Sequence, residues 1–113
     1  MDPRETLAQL FASWRQGDAL RAAAHFAPDG IYAEAGRAPL MGRDEIVAHF
    51  TRFFRDGPRW RFEVDELLVE GSQAAVFYRF LIAREGGEWT QRRGCAFVRF
   101  ESGAVAEWRE YEA

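Results

Sequence analysis

The sequence has no lysine, a single cysteine and no long apolar run, and each of these absences excludes a class of protein. Cys95 has no second cysteine to pair with, so no disulfide forms within the chain. Nothing near the amino terminus resembles a signal peptide, and no segment reads as a membrane span, so we expect a cytoplasmic protein without a membrane partner. The net charge of −3 lacks the clustered positive charge that phosphate groups require, and no nucleic acid partner is expected.

The basic residues that are present are all arginine, a usage typical of a GC-rich bacterial coding sequence. A length of 113 residues with 48% hydrophobic residues suits one domain, residues 1–113, built on one core. No repeat, low-complexity segment or linker divides the chain. The aromatic share of 15%, including ten Phe and four Trp, is high for a small protein and is typical of a ligand pocket or a subunit interface.

Two helices are predicted at the start of the chain. The first opens at Asp2, whose carboxylate can cap it, with Pro3 in its first turn and Glu5 completing a capping box. Its apolar stripe repeats at helical spacing and consists of Leu7, Leu10, Phe11 and Trp14. The second helix is predicted over Ala19–Phe26. Its apolar face consists of Leu20, Ala23, Ala24 and Phe26.

A third helix follows an irregular segment. The sequence predicts a turn at Pro28-Asp29-Gly30, a short strand over Ile31–Glu34 and a loop over Ala35–Met41. The helix begins at Gly42 and ends at Gly57-Pro58, since glycine and proline stop helices. Its predicted buried stripe is Ile46, Phe50, Phe53 and Phe54.

From Arg59 onward the apolar residues alternate, which predicts strands. Trp60, Phe62 and Val64 share one face, and a slip or bulge shifts the pattern before Leu67 and Val69. The next strand is apolar on both faces, so both faces are expected to be covered, one of them by helices. Val76, Tyr78, Phe80 and Ile82 form one face, and Ala75, Phe77, Arg79 and Leu81 form the other.

The last quarter of the chain, Glu88–Tyr111, predicts a hairpin of two long strands. One face of this hairpin mixes small residues, a tryptophan and charges, which is more typical of a cavity wall than of a filled core. The residues on that face are Thr90, Arg92, Gly94, Ala96, Val98, Phe100, Ala106, Trp108 and Glu110.

Five short motifs carry a family resemblance that covers nearly the whole chain. They are Trp14-Arg15-Gln16-Gly17-Asp18, His25-Phe26-Ala27-Pro28-Asp29-Gly30, Gly42-Arg43-Asp44-Glu45-Ile46, Phe97-Val98-Arg99-Phe100-Glu101-Ser102-Gly103 and Trp108-Arg109-Glu110-Tyr111. With these motifs the chain resembles the nuclear transport factor two-like superfamily, and within it the SnoaL-like bacterial branch. The resemblance implies an α+β fold, a cystatin-like cone in which three N-terminal helices pack in a curved, mostly antiparallel sheet and leave an apolar pocket.

The resemblance also implies roles for single residues. Steroid isomerases of this fold keep a carboxylate base near the end of the first strand, where Glu34 stands in this chain. Their two oxyanion donors correspond to Leu10 and Ala96, which have no donor group. Hydrolytic relatives hold a water with an Asp-Arg-Asp set, which Glu34, Arg92 and Glu110 imitate if the strand register brings them together. The superfamily also includes many proteins without known activity, so the fold alone fixes no reaction.

Three residues are candidate catalytic groups, and each has a structural alternative. Glu34, beside Tyr32, is a candidate general base whose pKa an aromatic pocket would raise, or else a rim carboxylate paired with Arg37 or Arg92. Arg92 is a candidate for holding an acidic or carbonyl ligand, or else a solvated side chain. Glu110 is a candidate acid–base group, or else the salt-bridge partner of Arg92.

Eight aromatic residues are candidates for lining a binding site, and for each of them packing in the core is the alternative. They are Trp14, Tyr32, Phe50, Phe54, Trp60, Tyr78, Phe80 and Trp108. His25 and His49 lie on different predicted helices without a third ligand, so neither a metal nor another cofactor is expected.

The sequence therefore predicts a protein that binds a small, largely apolar molecule without a cofactor. If it is an enzyme, it isomerises, cyclises or hydrates that molecule, or acts as a lyase or hydrolase, with Glu34 as the acid–base group. The alternative is a non-catalytic ligand-binding or dimeric scaffold module. The outer face of the sheet, which carries Phe77, Leu81, Phe97 and Trp89, predicts a homodimer.

Overall fold

A computed structural model describes residues 1–113 as three helices packed against one six-stranded, curved sheet, which confirms the predicted α+β cone. The helices are α1 (Pro3–Arg15), α2 (Ala19–Ala24) and α3 (Arg43–Asp56). The strands are β1 (Phe26–Ala33), β2 (Leu40–Met41), β3 (Arg59–Glu70), β4 (Gln73–Ala83), β5 (Trp89–Glu101) and β6 (Ala104–Glu112). Their order in the sheet is β2-β1-β6-β5-β4-β3. None of the helices has the length and apolar character needed to cross a membrane.

Helix α1 begins as predicted, because Asp2 Oδ1 accepts a hydrogen bond of 2.9 Å from the backbone N–H of Glu5. The prediction for α2 was wrong in its extent and in its buried face. The helix ends at Ala24, and Phe26 lies in β1 instead. Leu20 is 77% exposed, whereas Ala22 and Ala23 are buried. A helix of six residues turns only a few side chains toward the core, and in α2 these are the small side chains of Ala22 and Ala23.

Strand β1 corrects the prediction of a separate turn at Pro28-Asp29-Gly30. These residues lie within the strand, where the parallel pairing with β6 is interrupted between Phe26 and Ile31. Pro28 and Asp29 are exposed, so the turn-forming residues bulge from the strand instead of ending it. The predicted loop Ala35–Met41 also contains a two-residue strand, β2, which pairs antiparallel with β1.

Strands β3 to β6 form the predicted antiparallel meander. The expected slip in β3 is present as an irregularity between Val64 and Glu66. Tyr78 in β4 lies opposite both Val64 in β3 and Gly94 in β5, and Ala96 in β5 lies opposite Glu110 in β6. One face of the sheet therefore turns the predicted row of small, aromatic and charged residues toward the helices.

The core lies between the helices and this inner face of the sheet. Leu7 and Leu10 of α1 and Ile46 of α3 are fully buried against Val98 and Trp108. Arg43, the first residue of α3, ties that helix to β1, because its Nε and Nη2 both donate to the backbone carbonyl of Phe26, at 3.2 and 2.6 Å. The aromatic residues of α3 are thereby held over the open end of the cone, where the core gives way to a cavity.

Candidate functional site

A cavity of about 180 Å³ opens between α1, α3 and the inner face of the sheet. Eleven of its seventeen lining residues are hydrophobic, and the others are mainly carboxylates and arginines. For scale, an engineered apolar cavity of roughly 150 Å³ binds benzene. The size therefore suits a ligand built on one ring. The lining residues are Trp14, Tyr32, Glu34, Ala35, Arg37, His49, Phe50, Phe53, Phe54, Trp60, Phe62, Tyr78, Phe80, Ile82, Arg92, Glu110 and Glu112.

The aromatic wall of the cavity is a continuous set of ring contacts. Phe62 lies between Trp14 and Tyr78, with ring centroids 5.4 and 5.3 Å apart, respectively. Nearer the opening, the rings of Phe54 and Trp60 stack at 5.9 Å. Trp14, Phe62 and Tyr78 are buried, whereas Phe54 and Trp60 are only half-buried. The wall thus presents flat apolar surfaces to a ligand from the opening to the buried end.

Glu34 is held as an ion at one side of this wall. Its Oε1 lies 3.2 Å from His49 Nε2 on α3 and 4.0 Å from Arg37 Nη1. Burial acts to raise the pKa of the carboxyl, but the contact with His49 and the charges of Arg37 and Arg92 outweigh burial and lower the pKa below its usual value. The expectation of a raised pKa was therefore wrong, because the sequence did not reveal the histidine partner.

Glu110 experiences the opposite shift. Burial raises its pKa to about 7, and the negative charges of Glu34 and Glu112 add to this, while the hydrogen bond from Trp108 Nε1 opposes it. That hydrogen bond, 2.9 Å to Oε2, is the contact that fixes the carboxyl. None of the arginines forms an ion pair with Glu110. Near neutral pH this carboxyl therefore exists as a mixture of acid and carboxylate, while Glu34 is ionised.

Two further polar groups in the cavity wall have no hydrogen bond of good geometry. They are Trp14 Nε1 and Tyr78 Oη, and both atoms are buried. The Tyr78 hydroxyl lies near enough to Glu110 for the two to influence each other's pKa, and burial raises the pKa of Tyr78 far above its usual value. Buried donors without partners are costly, so a ligand oxygen that accepts from them would be stabilised.

The pairing expected between Arg92 and Glu110 is not present. Arg92 lies at the rim with its side chain 57% exposed, and its Nη1 is 3.9 Å from Glu112 Oε1. Residues 110 and 112 lie on the same face of β6. Glu112 is closer to the end of the strand, so Arg92 forms its ion pair with Glu112 and not with Glu110. Arg92 contributes charge to the mouth of the cavity and leaves Glu110 without a cation.

Ten of the eleven residues singled out from the sequence lie in the cavity wall, and Trp108 is the exception. Its side chain is fully buried in the core, where the ring lies 5.1 Å from that of Trp14. The alternation of side chains along the strand predicted correctly that Trp108 lies on the inner face of the sheet, but it did not predict that the side chain is fully buried. Trp108 acts on the cavity indirectly, through its hydrogen bond to Glu110.

The sequence reasoning missed His49 and Glu112 as parts of the site, whereas Arg37 is a partner that it offered as an alternative for Glu34 and lies 4.0 Å from that carboxylate. His49 had been weighed only as a metal ligand, although it precedes Phe50 on the helix face expected to line the pocket. Leu10 and Ala96, which stand where steroid isomerases have oxyanion donors, are both fully buried and outside the cavity wall. No group of three or more His, Cys, Asp or Glu side chains is arranged to hold a metal ion.

The fold is closely similar to several solved structures. An NTF2-like protein of unknown function from Burkholderia pseudomallei superposes with a TM-score of 0.84 at 17% identity, covering 97% of this chain and 89% of that one. A hypothetical protein from Catenulispora acidiphila with a ketosteroid isomerase-like fold, in complex with trimethylamine, gives 0.83 at 17% identity, covering 98% and 86%. An LEH-like epoxide hydrolase from M. tuberculosis gives 0.83 at 13% identity, covering 96% and 80%.

These similarities concern the fold, and the family is established by sequence. No curated protein matches the chain. A family model described as "SnoaL-like domain" matches residues 7–108, from within α1 to Trp108 in the cavity-forming hairpin. The chain belongs to the SnoaL-like domain family, a branch of the NTF2-like superfamily.

Proposed function

We propose that this protein binds a small, largely apolar molecule in the aromatic cavity and transfers a proton on it without a cofactor. The observation that carries the proposal is the pair Glu34 and Glu110: two carboxyl groups line one cavity, and their surroundings push their pKa values in opposite directions. Such a divergence separates a base from an acid at the same pH. Glu34 is the general base, and Glu110 in its protonated form donates a hydrogen bond to the ligand.

The simplest reaction for this pair is a shift of one proton on a carbonyl compound. Glu34 removes a proton from the carbon beside the carbonyl, and the electron pair moves onto the oxygen, where a hydrogen bond from the Glu110 carboxyl stabilises it. The electron pair then returns to carbon two positions away, and Glu34 delivers the proton there. The positive charge of Arg92 at the rim stabilises the negative charge that develops on the oxygen. The apolar body of the ligand packs against Trp14, Tyr32, Phe50, Phe54, Trp60, Tyr78 and Phe80.

A single-ring substrate tests the proposal directly. Cyclohex-3-en-1-one fits the cavity, and its isomer cyclohex-2-en-1-one absorbs in the ultraviolet because the double bond becomes conjugated. We expect isomerisation, with deuterium uptake from heavy water, that is lost in Glu34→Gln and kept in Glu63→Gln, since Glu63 is exposed on the outer face of β3. Equal rates in wild type and Glu34→Gln would reject proton transfer by Glu34.

A second candidate is a binding protein without a reaction. It is favoured by the absence of donors at Leu10 and Ala96, where steroid isomerases have theirs. In that case the cyclohexenones bind, as seen by shifts of the indole N–H signals of the cavity, but neither isomerise nor exchange protons faster than in buffer. The two candidates thus differ in turnover and not in affinity.

The outer face of the sheet supports the proposal of a homodimer. Phe77 and Trp89 are each 39% exposed there, and Leu81 and Phe97 are half-buried. Arg61 lies over the Trp89 ring and Arg79 pairs with Asp65, so this face also carries charges, but apolar patches on a sheet face are commonly covered by a second subunit. We also expect residues 1–113 to act as one domain in the bacterial cytoplasm.

A further inference from the structure

Gly94 lies directly beneath the phenol of Tyr78, one of the residues that line the cavity. The two residues face each other on adjacent strands, Tyr78 on β4 and Gly94 on β5. A Cβ atom built on Gly94 would lie 2.6 Å from Tyr78 Cζ and closer still to its hydroxyl oxygen. Contacts this short do not occur between real atoms, so the Tyr78 ring has its observed position only because residue 94 has no side chain.

The limited space at position 94 requires a glycine, whereas the backbone conformation there does not. Seven glycines of the chain have a positive φ, and Gly94 is not among them. Its strand conformation is open to any residue, and glycine is unfavourable in strands in general. A glycine in the middle of a thirteen-residue strand is therefore explained by the ring above it and by the backbone carbonyl oxygen of Tyr111, which would lie 2.8 Å from the same Cβ.

The ring that crosses Gly94 carries its hydroxyl toward β6. Gly94 lies opposite Glu112, and the next inward residue of β5, Ala96, lies opposite Glu110. The small residues of β5 thus let a long side chain from β4 reach the carboxyls of β6. The result is a buried hydroxyl beside the Glu110 carboxyl, close enough to shift the pKa of that carboxyl but without a hydrogen bond of good geometry.

We infer that the cavity takes a neutral, single-ring-sized molecule bearing a carbonyl or hydroxyl oxygen, and that Gly94 determines this selectivity by leaving room for the Tyr78 phenol that receives the oxygen. The inference rests on the proposed function, because it names the substrate class of the same site. It concerns binding, so it stands or falls independently of whether Glu34 catalyses turnover.

The charges around the cavity favour a neutral ligand over an ion. An anion would meet Glu34 and Glu112, both of which are ion-paired, and Glu110 between them. A primary ammonium group brings only donors, so it cannot accept from Trp14 Nε1 or from the Tyr78 hydroxyl, and Glu110 attracts it only when ionised. A carbonyl oxygen, by contrast, accepts from Tyr78 Oη and places its ring against the aromatic wall.

Three ligands with the same ring test the charge preference: cyclohexanone, cyclohexylammonium and cyclohexanecarboxylate. Binding is followed by the indole N–H signal of Trp14 in nitrogen-15 NMR, assigned with Trp14→Phe, at about pH 6, where Glu110 with its pKa of about 7 is mostly protonated. We expect cyclohexanone to bind roughly tenfold more tightly than either ion, the value of one good hydrogen bond. Equal or tighter binding of the ammonium ion would overturn the inference, because Glu110 would then act as a counter-ion.

Substitutions test the role of Gly94. Tyr78→Phe and Gly94→Ala should each weaken cyclohexanone binding about tenfold, and the double variant should be no weaker than either single one, because both changes remove the same contact. Tyr111→Phe, on the exposed outer face, is the matched control and should bind normally. Additive losses in the double variant, in proteins whose NMR spectra show an intact fold, would assign Gly94 a merely structural role. If Gly94→Ala does not fold, unchanged binding by Tyr78→Phe alone still rejects the inference.

Discussion

Trp108 and Glu110 are neighbours on the same face of β6, and the indole N–H of the first donates a 2.9 Å hydrogen bond to the carboxyl of the second. The tryptophan is fully buried and the carboxyl lines the cavity. A core residue thus orients a cavity residue through an interaction within one strand. Because an indole donates but carries no charge, it fixes the carboxyl and offsets only part of the cost of burying its ionised form.

Removing that donor should raise the pKa of Glu110. Trp108→Phe keeps most of the apolar volume and deletes the N–H, so the ionised form loses a hydrogen bond that now favours it. We expect the pKa, followed by carbon-13 NMR of the carboxyl, to rise from about 7 by roughly one unit. Trp89→Phe removes an indole from the outer face and should leave the pKa unchanged. A fall in the pKa of Glu110 in Trp108→Phe would contradict this assignment.

The raised pKa of Glu110 makes the folded protein less stable as the pH rises. Its pKa is about 7 in the folded state against 4.5 for a free glutamate, so the folded state retains a proton that the unfolded state has lost. The stabilisation is fully present below pH 4.5 and disappears as the pH passes through 7. Between about pH 5.5 and pH 8, wild type should lose about 2 kcal/mol of unfolding free energy relative to Glu110→Gln.

Urea denaturation of the two proteins at both pH values measures this difference. Glu34, Tyr32 of β1, Tyr78 of β4 and Glu112 of β6 also lie near Glu110, and because they are present in both proteins their contributions largely cancel. Parallel pH dependence of wild type and Glu110→Gln would show that the carboxyl is ionised in the folded state throughout this range.

Arg43 should contribute more to stability than an arginine at the surface. Its two hydrogen bonds to the carbonyl of Phe26 join α3 to β1, and each has a charged donor. We expect Arg43→Met to lower the free energy of unfolding by about 2 kcal/mol, and Arg52→Met on the exposed side of the same helix to change it by less than about 0.5 kcal/mol. Chemical denaturation measures the free energy of unfolding of both variants. Equal losses would mean that the two hydrogen bonds of Arg43 stabilise the protein no more than a surface arginine does.

The homodimer should depend on the outer sheet face. Phe77→Glu places a charge in the middle of that face, which would be desolvated at an interface, and should convert a dimer to a monomer. Leu20→Glu is the control, because Leu20 is more exposed than Phe77 but lies on α2. Light scattering after size-exclusion chromatography gives the mass of each. If the wild-type protein is a monomer at micromolar concentration, the proposal of a homodimer is wrong.

The parts of the fold that could be predicted are mainly those in which apolar residues recur at a regular spacing. Apolar alternation in β3 and β4, including the slip after Val64, placed side chains on the correct faces because a strand allows only two. Capping at Asp2 was equally local. The turn at Pro28-Asp29-Gly30 was not predictable in its true form, because only the distant pairing with β6 makes these residues a bulge within β1.

The candidate site was predictable as a set of wall residues and not as a set of contacts. Glu34, Glu110 and the rings could be assigned to a cavity from their faces. The partner of Glu34 was missed because His49 lies on a helix that packs across the cavity, a relation that no local pattern encodes. The same limit explains Trp108, whose depth depends on α1 packing over it, and Arg92, whose partner depends on how far β6 extends.

The parallel pairing of β1 with β6 has a consequence for the order of assembly. Ile31 and Glu107 are partners, so the first strand finds its neighbour only when the end of the chain is available. Contacts so distant in sequence form slowly, and during synthesis they form last. Glu110 on β6 and Glu34, the residue that follows β1, lie just beyond this pairing. Strand β6 also lies between β1 and β5 in the sheet, so until it is in place β1 has no neighbour on that side, and Glu34 and Glu110 are not brought to the same cavity.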